Sequence, residues 1–158
     1  MAIIPLPIWR VLRPMTRLYY RFSRPLTAGV RGLVRDERGH VLLVRHSYVD
    51  GWYLPGGGVE RMETVITALT RELDEEAGIL LRARPKLLGL YANFREFKSD
   101  HVALYLVEPG TYDRVPRESF EIAEYDFFAP DALPEGTTPG TRARIRELME
   151  GLDAPDLW

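Results

Sequence analysis

The sequence predicts an α/β fold, a mixed sheet with helices packed on its faces. Three observations predict it. Apolar runs of strand length stand on both sides of one strongly patterned helical stretch in the middle of the chain. A sheet and a helix each have an apolar side to bury, and layering helices on a sheet satisfies both. With 158 residues, 46% hydrophobic and 28% charged, the chain also suits one compact domain, and no linker-like stretch divides it.

The elements follow in order. Pro14 suits a first helical turn, and Met15, Leu18, Tyr19 and Phe22 recur at helical spacing, so residues 1–25 read as a basic helical extension ahead of a domain spanning 26–158. Ala28 to Val34 and His40 to His46 are apolar stretches joined by Asp36-Glu37-Arg38-Gly39, a hairpin signal. Trp52-Tyr53-Leu54 reads as a short strand stopped by Pro55 and Gly56-Gly57-Gly58. A helix is expected from Thr64 to Ala77, with Thr64 as N-cap and Gly78 as its stop. Leu87 to Asn93, His101 to Val107 and Ile122 to Phe128 read as strands, and Thr141 to Leu152 as a closing helix of alternating charge.

Charge and composition exclude some chemistry. There is no cysteine, which removes disulfides, thiolate zinc sites and thiol nucleophiles and fits a reducing, cytoplasmic setting. The net charge of −2 hides an asymmetry. Residues 1–35 carry seven arginines and no acid, and the remainder carries 14 basic against 23 acidic residues, a formal −9. A basic flank can meet phosphates, RNA or a membrane surface, but packing against an acidic body is the preferred reading. The opening MAIIPLPIW is too short for a bilayer span, which needs about 20 residues, and lacks the charged start and cleavage site of a signal peptide. Membrane contact is therefore not expected.

The chemistry concentrates between Gly57 and Ile79. Five residues separate Gly57 from Glu63, and seven more lead to Arg71-Glu72-Leu73-Asp74-Glu75-Glu76-Ala77-Gly78-Ile79. At about 100 degrees per residue, Glu72, Glu75 and Glu76 fall within roughly 100 degrees of one another on the helix. Three like charges on one arc repel, and they lie towards the helix C-terminus, where the macrodipole disfavours them. A hard cation such as Mg²⁺ or Mn²⁺ repairs the arrangement by taking carboxylate oxygens and joining them to a substrate phosphate. The glutamates border the apolar arc of Ile66, Leu69, Leu73 and Ala77, with Thr67, Thr70 and Asp74 on the opposite side, so they are held near the body of the protein. Arg71 lies one turn before Glu75 and can fix its orientation. An exposed acidic face is the ordinary alternative for a Glu-rich turn. Seven fixed identities in register oppose it, coinciding by chance on the order of once in 10⁸ windows at roughly 7% usage each.

These residues resemble the Nudix box of the Nudix hydrolases, matched at every fixed position without a gap. The resemblance implies an α/β/α sandwich with a metal-binding loop–helix–loop that cleaves a nucleoside diphosphate linked to another moiety. By position it makes Glu72, Glu75 and Glu76 metal ligands, Arg71 their orienting partner, Glu63 a support, and Gly57 the loop hinge with a carbonyl as a further ligand. The general base stays open among Glu72, Glu76 and a later acid, of which Glu121 is preferred to Glu118 and Glu124. A homodimer is the default assembly in such a family.

The substrate is less legible. Arg45 and Arg95 are candidate phosphate clamps. Tyr53, Tyr91, Phe94 and Tyr105 stand near strand ends as candidate stacking residues. His46 and His101 are candidate phosphate contacts or acid–base groups. The approach GWYLPGGGVE over residues 51–60 resembles members acting on nucleotide sugars such as ADP-ribose, the leading expectation. Nucleoside triphosphate pyrophosphohydrolysis is the runner-up, RNA action is not favoured, and a non-catalytic nucleotide sensor is the reading from another class.

Overall fold

The computed structural model describes residues 26–95, 99–117 and 119–158. The helix expected over Pro14 to Arg24, the apolar opening segment and Glu118 lie outside the described residues. Among the described residues nine elements follow: β1 (Thr27–Val34), β2 (Val41–His46), α1 (Val65–Ala77), β3 (Ile79–Leu81), β4 (Lys86–Ala92), β5 (Asp100–Val107), β6 (Tyr112–Arg114), β7 (Ile122–Phe128) and α2 (Pro139–Glu150).

Three differences from the sequence reading stand out. The stretches joined by Asp36 to Gly39 turn back on one another but form no hairpin ladder: they share a single bridge, Arg35 to Val41, while β1 pairs with β5 and β2 with β7. Trp52 to Leu54 is not a strand. Tyr53 makes a single bridge back to Val44 and Trp52 one to Thr137, and then Pro55, with no amide hydrogen to give, ends the pairing. β3 follows α1 directly and pairs antiparallel with the later β6, and at three residues each both are too short to show a period in the sequence.

The sheet is mixed, as expected. β1 pairs in parallel with β5, and β5 pairs antiparallel with β4. The outer edge of β1 takes up the glycine loop, with the Val30 amide donating to the Gly57 carbonyl at 2.9 Å and the Val59 amide to the Ala28 carbonyl at 2.8 Å. β2 pairs antiparallel with β7, and its register slips between Arg45 and His46.

Strand alternation divides the core into two layers. Val30, Val34, Leu42, Val44, Ala103 and Val107 pack with Leu69, Leu73 and Ala77 of α1. Their neighbours Leu33, Val41, Leu43, Leu104 and Leu106 pack on the other side with Ile145 of α2, Trp52 and Leu54. The result is an α/β/α sandwich, with α1 on one face and α2 on the other. Gly32 sets how closely α1 approaches, because a Cβ there would stand 3.0 Å from a Leu73 methyl group. The ends of α1 are local: Thr64 Oγ1 accepts from the Thr67 amide at 3.1 Å, and Gly78 turns left-handed at φ 62°.

Candidate active site

The carboxylates gather where the last two turns of α1 meet the glycine loop. Arg71 organises them. Its guanidinium donates to both oxygens of Glu63 at 3.1 and 3.0 Å, to Glu72 Oε1 at 2.7 Å, to Glu75 Oε2 at 3.4 Å and to the Gly58 carbonyl at 3.2 Å. These bonds raise the arginine's pKa, and the Arg71 hydrogen bonds hold the Glu63 carboxyl below its ordinary range. The Glu72 carboxylate lies against Gly57, so close that a Cβ on that glycine would overlap it. Any side chain at Gly57 would have to push the Glu72 carboxylate out of this position.

Glu76 is the buried member, 8% exposed. Its Oε2 accepts from the Gly56 amide at 2.7 Å, while Oε1 stands 3.7 Å from His46 Nε2. Burial raises its pKa to about 7, the Gly56 bond and Arg31 oppose that rise, and the Glu72 and Glu121 charges add to it. Burial likewise lowers the His46 pKa, so the pair is drawn towards neutrality and the histidine does not supply the missing positive charge. His46 Nδ1 is buried with no partner among the described residues.

Adjacent loop residues thus touch two carboxylates, Glu72 and Glu76. Glu75 has a side chain 61% exposed, and among the described residues its ion-pair partner is Arg71. Among the described residues, no three acidic or histidine side chains converge closely enough to enclose a cation. The Gly57 carbonyl already accepts from Val30 and keeps one lone pair. This donor set is hard, anionic and incomplete. It fits a Mg²⁺-like ion, which commonly takes one or two carboxylates and leaves its remaining positions to water and substrate phosphate.

The glycine loop opens onto a cleft of about 670 Å³ on the α2 face of the sheet. The cleft exists because that face changes chemistry along its length. Register places Leu33 beside Leu106, then Arg31 beside Leu104, Gly29 beside Val102 and Tyr91, and lastly Thr27 beside Asp100. The apolar rows are core. In the last row Thr27 Oγ1 donates to Asp100 Oδ1 at 2.8 Å and Asn93 Nδ2 to Oδ2 at 3.1 Å, a polar floor. Arg31 donates to the carbonyls of Leu54, at 3.1 Å, and Gly56, tying the floor to the loop that holds Glu76. Tyr48 and Tyr53 flank the His46 ring at 5.2 and 5.8 Å between centroids.

The structure sorts the expected substrate residues. Tyr53, His46 and Arg95 line the cleft. Arg45 does not: its guanidinium pairs with Glu124 across the β2–β7 ladder at 2.7 Å. Tyr91 lies beneath the surface, 1% exposed, and offers no face to a ligand. Phe94 is 58% exposed but outside the cleft lining, edge-on to His101 at 5.9 Å. Tyr105 packs against the α1-side core. Glu121 stands close enough for its charge to act on His46, Tyr48 and Glu76. Sequence reasoning missed Arg31, Tyr48, Asn93, Asp100 and Trp158. Arg31 carried a signal, since a lone arginine inside the apolar strand TAGVRGLV needs a partner for its charge.

Comparison with known proteins accords with this geometry. The family model described as NUDIX domain matches residues 25–150. A MutT-like protein of Streptomyces ambofaciens is 30% identical over 130 residues, covering 82% of this chain and 81% of that protein. A putative 8-oxo-dGTP diphosphatase of Bacillus subtilis is 27% identical over 125 residues, 79% of this chain and 81% of that one. Among solved structures, the MutT NUDIX hydrolase of Burkholderia pseudomallei superposes with a TM-score of 0.65 at 27% identity, covering 79% of this chain and 99% of its own.

Proposed function

This chain belongs to the Nudix family and is a pyrophosphohydrolase of nucleoside diphosphate derivatives, and from that premise we propose that it hydrolyses, with Mg²⁺, the diphosphate of an ADP-ribose-like nucleotide sugar. The observation that carries the proposal is the Glu76 carboxylate, buried beside Glu72 with no arginine or lysine among the described residues in ion-pair contact, behind the His46 and glycine-loop wall of a cleft of about 670 Å³. That volume lies within the roughly 300–1,000 Å³ of ordinary small-molecule sites.

Glu72 and Glu76 would hold the ion, with the Gly57 carbonyl as a third donor and Glu75 reaching it from solvent. When bound, Mg²⁺ or Mn²⁺ neutralises the diphosphate and makes an attached water more acidic. Arg71 holds Glu72 and Glu63 in place, so the ligand oxygens need not be ordered at the moment of reaction. Arg31 fixes the carbonyl side of the glycine loop. Glu121, outside the ligand set and within electrostatic reach of Glu76, takes the proton of the attacking water. In-line attack at phosphorus then expels a phosphate-bearing leaving group.

A second reading, removal of pyrophosphate from a nucleoside triphosphate, is favoured by the relative described as a putative 8-oxo-dGTP diphosphatase. Purified protein with Mg²⁺, offered ADP-ribose and 8-oxo-dGTP in parallel with product identification, separates them. AMP and ribose 5-phosphate support the proposal. Nucleoside monophosphate and pyrophosphate from 8-oxo-dGTP alone support the second reading. Binding without turnover of any member of a wider panel of nucleoside diphosphate derivatives would favour the sensor reading.

A further inference from the structure

Beyond α2 the chain shows no periodic pattern, yet its last residues are pinned. The Ala92 amide donates to the Asp156 carbonyl at 2.8 Å, and the Trp158 amide donates to the Ala92 carbonyl at 3.1 Å, so the tail runs as a strand-like partner beside the end of β4. Arg144, 3% exposed, donates to the Leu157 carbonyl at 3.1 Å and pairs with Glu147. Its guanidinium lies 4.3 Å from the Tyr91 ring centre and 5.3 Å from that of Trp158, and those two rings meet edge-on at 5.5 Å. Two glycines leave room for the tail. A Cβ on Gly89 would come within 2.8 Å of Ala154, and one on Gly140 would overlap the Trp158 indole.

The indole is therefore fixed by backbone bonds, a buried cation and close packing, and it still forms part of the cleft wall. Its Nε1 has no acceptor among the described residues. Around it the described lining is polar and mainly neutral, with Thr138, Thr141, and Asn93 whose amide is fixed by Asp100, and Arg95 stands exposed at the rim beyond Asn93. The cations and carboxylates suited to a diphosphate and its metal lie at the other end, with Arg31 and the glycine loop.

We infer that Trp158 is the binding wall of the cleft's far end, on which the aromatic base of the nucleoside moiety stacks while the diphosphate lies at the glycine loop. This rests on the reading of the substrate as a nucleoside diphosphate derivative. A rigid indole suits the role because stacking on it demands little ordering, and every nucleobase presents a π face. Preorganisation comes from Arg144 and the strand-like backbone pairing, so little order has to be gained on binding.

The test compares two non-hydrolysable ligands in Mg²⁺ by calorimetry: α,β-methylene-ADP, which has a base, and methylenediphosphonate, which has none. Trp158→Leu keeps apolar bulk without the π face, and Trp158→Phe keeps a smaller one. The leucine variant should weaken the nucleotide analogue roughly 5- to 100-fold, as expected for one lost stack. It should leave methylenediphosphonate within about two-fold of wild type, and phenylalanine should recover most of the loss. Quenching of indole fluorescence by the nucleotide analogue in the wild type should vanish with the Trp158→Phe change. Unchanged nucleotide affinity in the leucine variant, or equal weakening of both ligands, would overturn the stacking role and leave the tail as packing. A wild type that binds methylenediphosphonate but gains nothing from the base would also overturn it, with the diphosphate site intact. Failure to bind either ligand would instead sink the underlying nucleotide reading.

Discussion

Replacing Glu76 by glutamine preserves the shape of the side chain and removes its charge, and the structure says what that is worth. In the metal-free protein the carboxyl has a pKa of about 7, chiefly from burial, against an ordinary value of 4.5. At about 1.36 kcal/mol per pH unit, that gap amounts to roughly 3 kcal/mol. The folded value is the higher one, so the fold favours the protonated carboxyl. Its contribution is fully present below pH 4.5 and is lost as pH rises through 7. Glutamine never loses it, and its amide oxygen can still accept the Gly56 hydrogen bond. Denaturation in EDTA should therefore find Glu76→Gln close to wild type at pH 5 and more stable by roughly 3 kcal/mol at pH 8. For a domain of this size that is about 6–12 °C in melting temperature. With Mg²⁺ the order should reverse, since only the carboxylate gains from the ion, and turnover of the variant should fall by orders of magnitude. Equal stability of the two proteins at pH 8 in EDTA would refute the account of Glu76 as a buried charge awaiting a cation.

Other outcomes follow from the same geometry. Glu72→Gln should lower kcat by orders of magnitude and weaken Mg²⁺ binding by calorimetry, with the circular dichroism spectrum unchanged. Gly57→Ala drives a methyl group into the Glu72 carboxylate and should cost about 100-fold in kcat/KM, the scale of an ångström-sized misplacement, measured on a protein whose melting point shows that it is folded. Arg71→Lys keeps the charge but loses the fork that spans Glu63, Glu72 and Gly58. It should weaken Mg²⁺ affinity and activity together, and a variant with both unchanged would remove the organising role. Deleting residues 1–24 should leave a folded, active domain, as judged by thermal melting and turnover.

What the sequence revealed of this site was decided by distance along the chain. Thr64, Arg71, the three glutamates and Gly78 lie on one helix and its two caps, and helical geometry relates them, so the box and its caps could be read directly. The cleft is a different case. Thr27 meets Asp100 across 73 residues, and a parallel pairing of β1 with β5 leaves no local trace in either strand. Aromatic residues near strand ends were visible, but which face each occupies depends on register. That is why Tyr53 lines the cleft while Tyr91 is sealed beneath it and Phe94 stands outside. Arg45 and His46 show the problem in two adjacent residues. Side chains alternate along a strand, and with a register slip between them one reaches Glu124 on the neighbouring strand and the other Glu76 on α1. Trp158 left no signal, because nothing periodic links a tail residue to the glycine that makes room for it.

The two faces of the sandwich divide the labour, and the division explains where the glycines stand. The carboxylates belong to α1, on one side of the sheet, whereas the cleft lies on the side covered by α2. A substrate on one face can meet ligands carried by the other only at an edge where the sheet stops. Gly56 to Gly58 form that edge beside β1. A Cβ at Gly56 would stand 2.9 Å from the Arg31 Cα and 3.0 Å from the Val30 carbonyl carbon, and at Gly57 it would strike Glu72. The loop is thus pressed against the strand at Gly56 and against the Glu72 carboxylate at Gly57, while Gly58 stands clear, and its backbone becomes the shared wall through which the Gly56 amide fixes Glu76 and the Gly57 carbonyl fixes β1. Arg31 crosses the same boundary from the floor of the cleft to the loop carbonyls. Chemistry and recognition are coupled by backbone contact over these three residues, and the apolar cores on either side hold the sheet and both helices rigid enough for that contact to define the site.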